Sequence, residues 1–274
     1  MKMNCAVFLH DALAAIPEHE PAVLIRPLRS YLRRGLAACG RASATQSHFA
    51  WLSRCIPKLT IDRLYAGEAF ELLGDGSPVA EMGLELTRAS GLGREGELAL
   101  HLTWEGERVM SMAFSVIDAS LVVSNGSAPP LHGLRAVVGV IQGARGADIR
   151  LRDLTSAAQR LRPSAVLVVA MQGLTSAWGL QAPLGVSARS HIYAGYASHR
   201  RAVGLDYDAA WRDAGADSVN TDYWLLPAFP ALRPEAEVKS SHRAQHRRRN
   251  DFRATLFDAV RHSAQTLFQA GSQQ

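Results

Sequence analysis

The spacing of apolar residues divides the chain into three zones. Over residues 6–57 it is helical: Leu24, Leu28, Leu32 and Leu36 recur every four residues with Arg29, Arg33 and Arg34 between them, which predicts an amphipathic helix with a basic polar face. Pro21, Pro27 and Pro57 punctuate this zone. From about 79 to 142 the period shifts towards two. The run Glu97 to Trp104 alternates, Glu105-Gly106-Glu107 suits a turn, and Val109 to Val116 follows, which predicts a β-hairpin. Ser124 to Pro130 reads as a loop, and the apolar run Leu134 to Ile141 suits a buried strand.

After that strand comes Gln142-Gly143-Ala144-Arg145-Gly146-Ala147, then a helix over about 151–161. Pro163 stands where a second helix would start, and 165–178 is apolar nearly all round, so this helix must be buried. Residues 182–193 predict a strand, 207–214 a short helix and 223–229 a last strand. The stretch 235–250 is polar and basic, and Phe252, Leu256, Val260, Ala264 and Phe268 return to helical spacing. The fold class expected is α/β (α+β), in three parts: an N-terminal helical region over 1–60, a mixed, mainly antiparallel sheet flanked by helices over 61–234, and a basic segment with an amphipathic helix packing on the body over 235–274.

Composition narrows the function classes. Hydrophobic residues make up 47% and charged residues 20% of 274, which disfavours disordered, collagen-like and coiled-coil chains. The basic residues are 27 Arg against 3 Lys; compositional bias explains this, with the phosphate- and carboxylate-binding fork of Arg as the alternative. Cys5, Cys39 and Cys55 show no CxxC spacing and predict neither a disulfide framework nor a zinc site; His10, His48, His101 and His132 show no ligand spacing, so no metal is expected. Residues 239–253 hold six Lys/Arg and one Asp, a net of +5, which equals the net charge of the whole chain. The other 259 residues therefore balance. Arg243, Arg247, Arg248 and Arg249 form the candidate anion-binding patch, suited to RNA, anionic lipid or a phosphorylated ligand, although a solvated helix face explains it equally well. The N-terminus lacks a signal-peptide pattern and no run is long enough to span a bilayer, so a cytoplasmic location is expected, with peripheral contact at the inner membrane face as the alternative.

No GxxxxGK[ST], HExxH, GxSxG or GxGxxG motif is present. The stretches Glu95 to Leu102, Arg108 to Ser115, Gly139-Val140-Ile141-Gln142-Gly143, Leu161-Arg162-Pro163, Tyr207-Asp208-Ala209-Ala210-Trp211 and Arg247-Arg248-Arg249 together resemble the VirK/YbjX family of bacterial proteins. The resemblance implies a general link to virulence and resistance to antimicrobial peptides, and no established reaction. The chain departs from the family pattern where a His-Gly pair precedes Leu-Arg-Pro: Gln159-Arg160 stand there instead.

The order of elements also resembles the GNAT-like, acyl-CoA-dependent N-acyltransferase fold. That resemblance implies an acyl-CoA or acyl carrier protein thioester as donor, its phosphates held by backbone N–H groups of the loop at Gln142, Gly143, Arg145 and Gly146 and by the following helix N-terminus. The loop departs in register, since the glycine position counted from Gln142 is Arg145, and a plain strand-to-helix turn is the simpler reading. For proton transfer the candidates are His191 as base and Tyr207 as donor to a leaving thiolate. The simpler readings are a hydrogen-bonded strand-end histidine and a helix-start packing unit in which Trp211 shares a face with Tyr207. Thr155, Arg160 and Arg162 could line an anionic pocket or merely a solvated helix face. The non-catalytic alternative is an envelope-stress or virulence factor that binds anionic lipid or RNA through the basic segment.

Overall fold

A computed structural model describes residues 13–121, 131–195, 205–231 and 238–269. Among these residues the helices are α1 (Ile16–His19), α2 (Ala38–Cys55), α3 (Lys58–Tyr65), α4 (Asp148–Ala157), α5 (Pro163–Ala177), α6 (Tyr207–Asp213) and α7 (Arg243–Gln269). The strands are β1 (Phe70–Glu71), β2 (Met82–Arg88), β3 (Leu98–Trp104), β4 (Glu107–Asp118), β5 (Leu134–Gly143), β6 (Gln181–Val186), β7 (Asp217–Ser218) and β8 (Tyr223–Leu225). Among the described residues the strands form one open sheet in the order β1-β2-β3-β4-β5-β6-β8-β7, antiparallel throughout except where β5 meets β6. That parallel step needs a crossover, which α4 and α5 supply. The architecture is α/β with a mainly antiparallel sheet.

The predicted hairpin is β3–β4, closed by Glu105 and Gly106 at φ 52° and 79°, the two-residue turn whose twist matches the strands. All seven residues of β3 are buried, so its alternating polar positions face packed layers rather than water. His101 lies among them with both ring nitrogens satisfied, by Thr87 (2.9 Å) and Ser111 (2.7 Å). α5 is buried along most of its length because it is covered by the sheet on one side and α7 on another. Leu13, Trp51, Phe114, Met171 and Leu256 belong to one core cluster, so all three sequence segments contribute to a common interior.

Three expectations change. The Leu24–Leu36 helix does not form: residues 21–28 are a 3-10 helix and Leu28 is exposed. Pro27 removes a helical donor, and the next residues spend their backbone groups elsewhere. Leu32 adopts φ 60° and donates its N–H to the Arg94 carbonyl, while Arg34 N–H donates to the Ser190 carbonyl. The predicted strand 182–193 ends at Val186 and passes into a 3-10 turn, so His191 stands beyond the sheet. The basic run does not precede the C-terminal helix but opens it, as α7. The loop expected at 124–130, Cys5 and His10 lie outside the described residues.

Candidate functional site

β5 carries one residue more than its partner. Ala113 pairs with Val140 and Phe114 with Val138, so Gly139 is an inserted, bulged residue. A Cβ added there would lie 2.0 Å from the Glu95 carbonyl oxygen, because the chain at Glu95-Gly96 crosses directly over the bulge. A bulge bends the strand that holds it. On the other edge, pairing of β5 with β6 ends at Val138↔Gly185, one residue before β6 itself ends at Val186, whereas β5 continues beside β4 to Gly143. The outer edge of β5 thus runs on past the end of β6.

The Tyr207-Asp208-Ala209-Ala210-Trp211 unit covers this edge. Asp206 caps α6 by accepting from Ala209 N–H (3.0 Å). Ile141 N–H donates to the Tyr207 hydroxyl (3.2 Å), which donates in turn to the Ile141 carbonyl (2.9 Å). One phenol thus satisfies the two strand groups that a neighbouring strand would have taken. Asp208 accepts from Ala188 N–H and from the Trp224 indole, and the Trp211 indole donates to the Val186 carbonyl. Trp211 lies flat enough on β6 that a Cβ at Gly185 would come within 2.5 Å of its ring. The packing reading of this unit is realised: Tyr207 and Trp211 are both buried, with ring centroids 6.2 Å apart.

Two further buried polar groups converge on Tyr207. His191 stacks on its ring with centroids 5.0 Å apart, and burial pulls the imidazole down to about 4. Its Nδ1 accepts the Tyr193 N–H (3.3 Å), so the neutral ring carries its proton on Nε2, which is buried with no hydrogen-bond partner. Glu95 does not stand out as a site residue in the sequence. It is 3% exposed, and burial pushes its carboxyl up to about 7, against the opposing pull of local backbone N–H groups and Arg94. Its field reaches the Tyr207 phenol, whose pKa is raised mainly by burial. The signal present in the sequence is Glu95-Gly96-Glu97, two acids around a glycine ahead of an apolar strand. Glu97 is accounted for separately, since it accepts from Arg26 (3.0 Å).

Gln142 and Gly143 belong to β5, paired with Ser111 and Met110, rather than to the loop. The turn comprises 144–147, with Gly146 at φ 73°, and it is exposed from Ala144 to Gly146. α4 begins with Asp148 and has no side-chain cap, and Arg145 stands exposed beside it. Thr155 spends its hydroxyl on the Leu151 carbonyl and Arg162 pairs with Asp213 (3.1 Å). Gln159 and Arg160 are both left-handed, at φ 55° and 62°, and Arg160 N–H donates to the Thr155 carbonyl to close α4. These positions are a helix terminus.

The four residues of the anion-binding patch divide on α7. Arg243, Arg247 and Arg248 are exposed, while Arg249 turns inward and donates to the Gln159 carbonyl (3.2 Å). That bond ties α7 to the turn that ends α4. No helix among the described residues is long and apolar enough to cross a membrane, and no three of their His, Cys, Asp or Glu side chains converge as metal ligands.

A curated relative from Escherichia coli (strain K12), described as uncharacterized protein YbjX, is 24% identical over 256 residues, which is 91% of this chain and 73% of that protein. No solved structure matches the chain significantly. A family model described as "Protein of unknown function (DUF535)" matches residues 2–265, and the chain belongs to that family.

Proposed function

We propose that the chain is an acyltransferase that moves an acyl group from a thioester carrier, acyl-CoA or acyl carrier protein, to an amine or hydroxyl acceptor. The observation that carries this reading is the stretch of β5 that runs on past the end of β6 after the Gly139 bulge, immediately before an exposed glycine turn and an uncapped helix N-terminus, with Glu95, His191 and Tyr207 gathered beside it.

A thioester carbonyl reaching this edge of β5 takes the Ile141 N–H in place of the Tyr207 hydroxyl, and this donor then steadies the oxygen as charge develops on it. His191 Nε2–H is a second donor, and its neutral tautomer makes it a donor rather than the base. The base is Glu95, half ionised near neutrality, which takes the proton as the acceptor nitrogen or oxygen bonds to the carbonyl carbon. As the C–S bond breaks, the thiolate takes a proton through the Tyr207 hydroxyl, which is replenished by the proton that Glu95 accepted, so both groups end as they began. The phosphates of a carrier would be held by the N–H groups at the start of α4, with Arg145 as their charged partner.

Hydroxylamine serves as a generic acceptor. Incubation with acyl-CoA of two to sixteen carbons should yield hydroxamate and free CoA thiol at a rate that rises with pH through about 7, and Glu95→Gln should remove that rise. Absence of product above the uncatalysed rate at every chain length would overturn the proposal.

A further inference from the structure

The registers of β2 to β5 place four polar residues in one transverse row. Glu85 is directly opposite His101, His101 opposite Ser111, and Ser111 opposite Gln142. Directly opposite residues of antiparallel strands share a face, with Cβ atoms about 5 Å apart. Exposure grows from the buried imidazole of His101 through the half-buried Ser111 to the exposed Gln142, so the serine is reached from the β5 side. None of the four belongs to the Glu95, His191 and Tyr207 cluster.

The hydrogen bonds that run through His101 have a fixed direction. The Arg88 carbonyl can only accept, so the Thr87 hydroxyl donates to it (2.8 Å). The Thr87 oxygen, its proton spent, accepts from His101 Nε2–H (2.9 Å). A neutral imidazole protonated on Nε2 has a bare Nδ1, which accepts the Ser111 hydroxyl proton (2.7 Å). Burial and the charge of Arg108 bring the imidazole down to about 4, so it is neutral at physiological pH. Glu85, on the other side of His101, is committed to Arg108 through Nε (3.1 Å) and Nη2 (2.9 Å). Ser111, His101 and Thr87 thus stand as nucleophile, base and orienting group, the arrangement that activates a hydroxyl.

We propose that Ser111 is the nucleophile of a separate catalytic site that hydrolyses activated carboxylic esters, with His101 as base and the Gln142 amide as donor to the carbonyl oxygen. Ser111 Oγ bonds to the ester carbon while its proton moves to His101 Nδ1. The Gln142 amide, one strand away on the same face, meets the oxygen on which charge develops. The bond to the alkoxide then breaks and Nδ1 returns the proton to it, which releases the alcohol and leaves Ser111 acylated. Water repeats the sequence: it bonds to the acyl carbon and gives its proton to Nδ1, and Ser111 Oγ takes that proton back as the carboxylic acid departs. The low basicity of His101 makes its protonated form a ready donor and restricts the site to esters with good leaving groups, such as aryl esters.

Covalent labelling with a fluorophosphonate and turnover of p-nitrophenyl acetate test it. The wild type should carry one adduct, on Ser111 by peptide mass spectrometry, and should release p-nitrophenol; Ser111→Ala should lose both. His101→Gln should slow both about a hundredfold or more, as expected for loss of a general base. Gln142→Ala, at an exposed position whose loss does not threaten folding, should slow turnover about tenfold or more. Thr87 is a positioning residue: Thr87→Val keeps the branched shape but removes the acceptor of Nε2–H and should slow labelling, and Thr87→Ser should restore it. Absence of an adduct on Ser111 in the folded wild type, or labelling of Ser111 at the wild-type rate in His101→Gln, would overturn the proposal. Neither readout involves a thioester carrier or Glu95, so a failure here is distinct from a failure of acyl transfer.

Discussion

Glu95→Gln probes the buried carboxyl of the segment that crosses the Gly139 bulge. The carboxyl titrates near its ordinary 4.5 in the unfolded chain and at about 7 in the folded one. Below pH 4.5 it is protonated in both states. As pH rises from about 4.5 to 7 the unfolded chain releases the proton while the folded chain holds it, so the group's contribution to stability falls across that window. Above about 7 both are ionised and the folded state carries the full cost of desolvating the carboxylate. At 1.36 kcal/mol per tenfold change in proton affinity, that cost is roughly 3 kcal/mol. Burial at 3% exposure leaves little solvent to screen it. The assay is urea unfolding followed by tryptophan fluorescence between pH 4 and pH 8.5. The stability of the wild type minus that of Glu95→Gln should decline by roughly 3 kcal/mol from pH 4 to pH 8, the other titrating groups cancelling in the difference. Two parallel profiles would show that Glu95 ionises as a solvated residue, and its assignment as the base would fall with them.

Tyr207→Phe should cost about 2 kcal/mol in urea unfolding, because the Ile141 N–H and carbonyl both lose a buried partner; a loss below about 0.5 kcal/mol would mean that water reaches these two groups freely. Arg160→Gly should stabilise the chain by about 1 kcal/mol, since φ 62° strains a side-chain-bearing residue and suits glycine; a lowered melting temperature would contradict that. Gly139→Ala should destabilise by about 3 kcal/mol, because its Cβ would fall 2.0 Å from the Glu95 carbonyl oxygen and neither strand nor crossing segment has a flexible end to move. Unchanged stability in that variant would show that the bulge is not held by Glu95-Gly96.

The sequence pattern recovered what depends on short-range periodicity and turn chemistry. The β3–β4 hairpin follows from alternation around Glu105-Gly106, the buried α5 from its uniform apolarity, and α6 from Tyr207 and Trp211 one turn apart. Long-range bonds decided the rest. The Leu24–Leu36 spacing has the helical period, but Leu32 and Arg34 exchange helical hydrogen bonds for ones with Arg94 and Ser190. Arg33 likewise left the expected basic face to bond Tyr223 and pair with Asp222 (3.2 Å). Glu95 became a buried acid only because its segment crosses a bulge 44 residues downstream in β5, a contact that no local spacing records. His191 and Tyr207 were legible as candidates by residue type. Their roles were not, because the Tyr193 N–H sets the tautomer of one and Ile141 captures the hydroxyl of the other. The basic segment was legible as charge, while its division into an exposed face and the inward-turned Arg249 required the helix register of α7.

Acyl-CoA binding followed by thermal unfolding tests the central claim most directly. Acyl-CoA should raise the melting temperature of the wild type in a concentration-dependent way, and Gly143→Trp, which adds a ring at the end of β5 where a Cβ meets only Leu151 and the Val109 carbonyl at ordinary contact distance, should abolish the rise while leaving the unliganded melting temperature close to that of the wild type. No rise in the wild type at any chain length, or an equal rise in Gly143→Trp, would contradict the placement of a thioester at the edge of β5 beyond the end of β6.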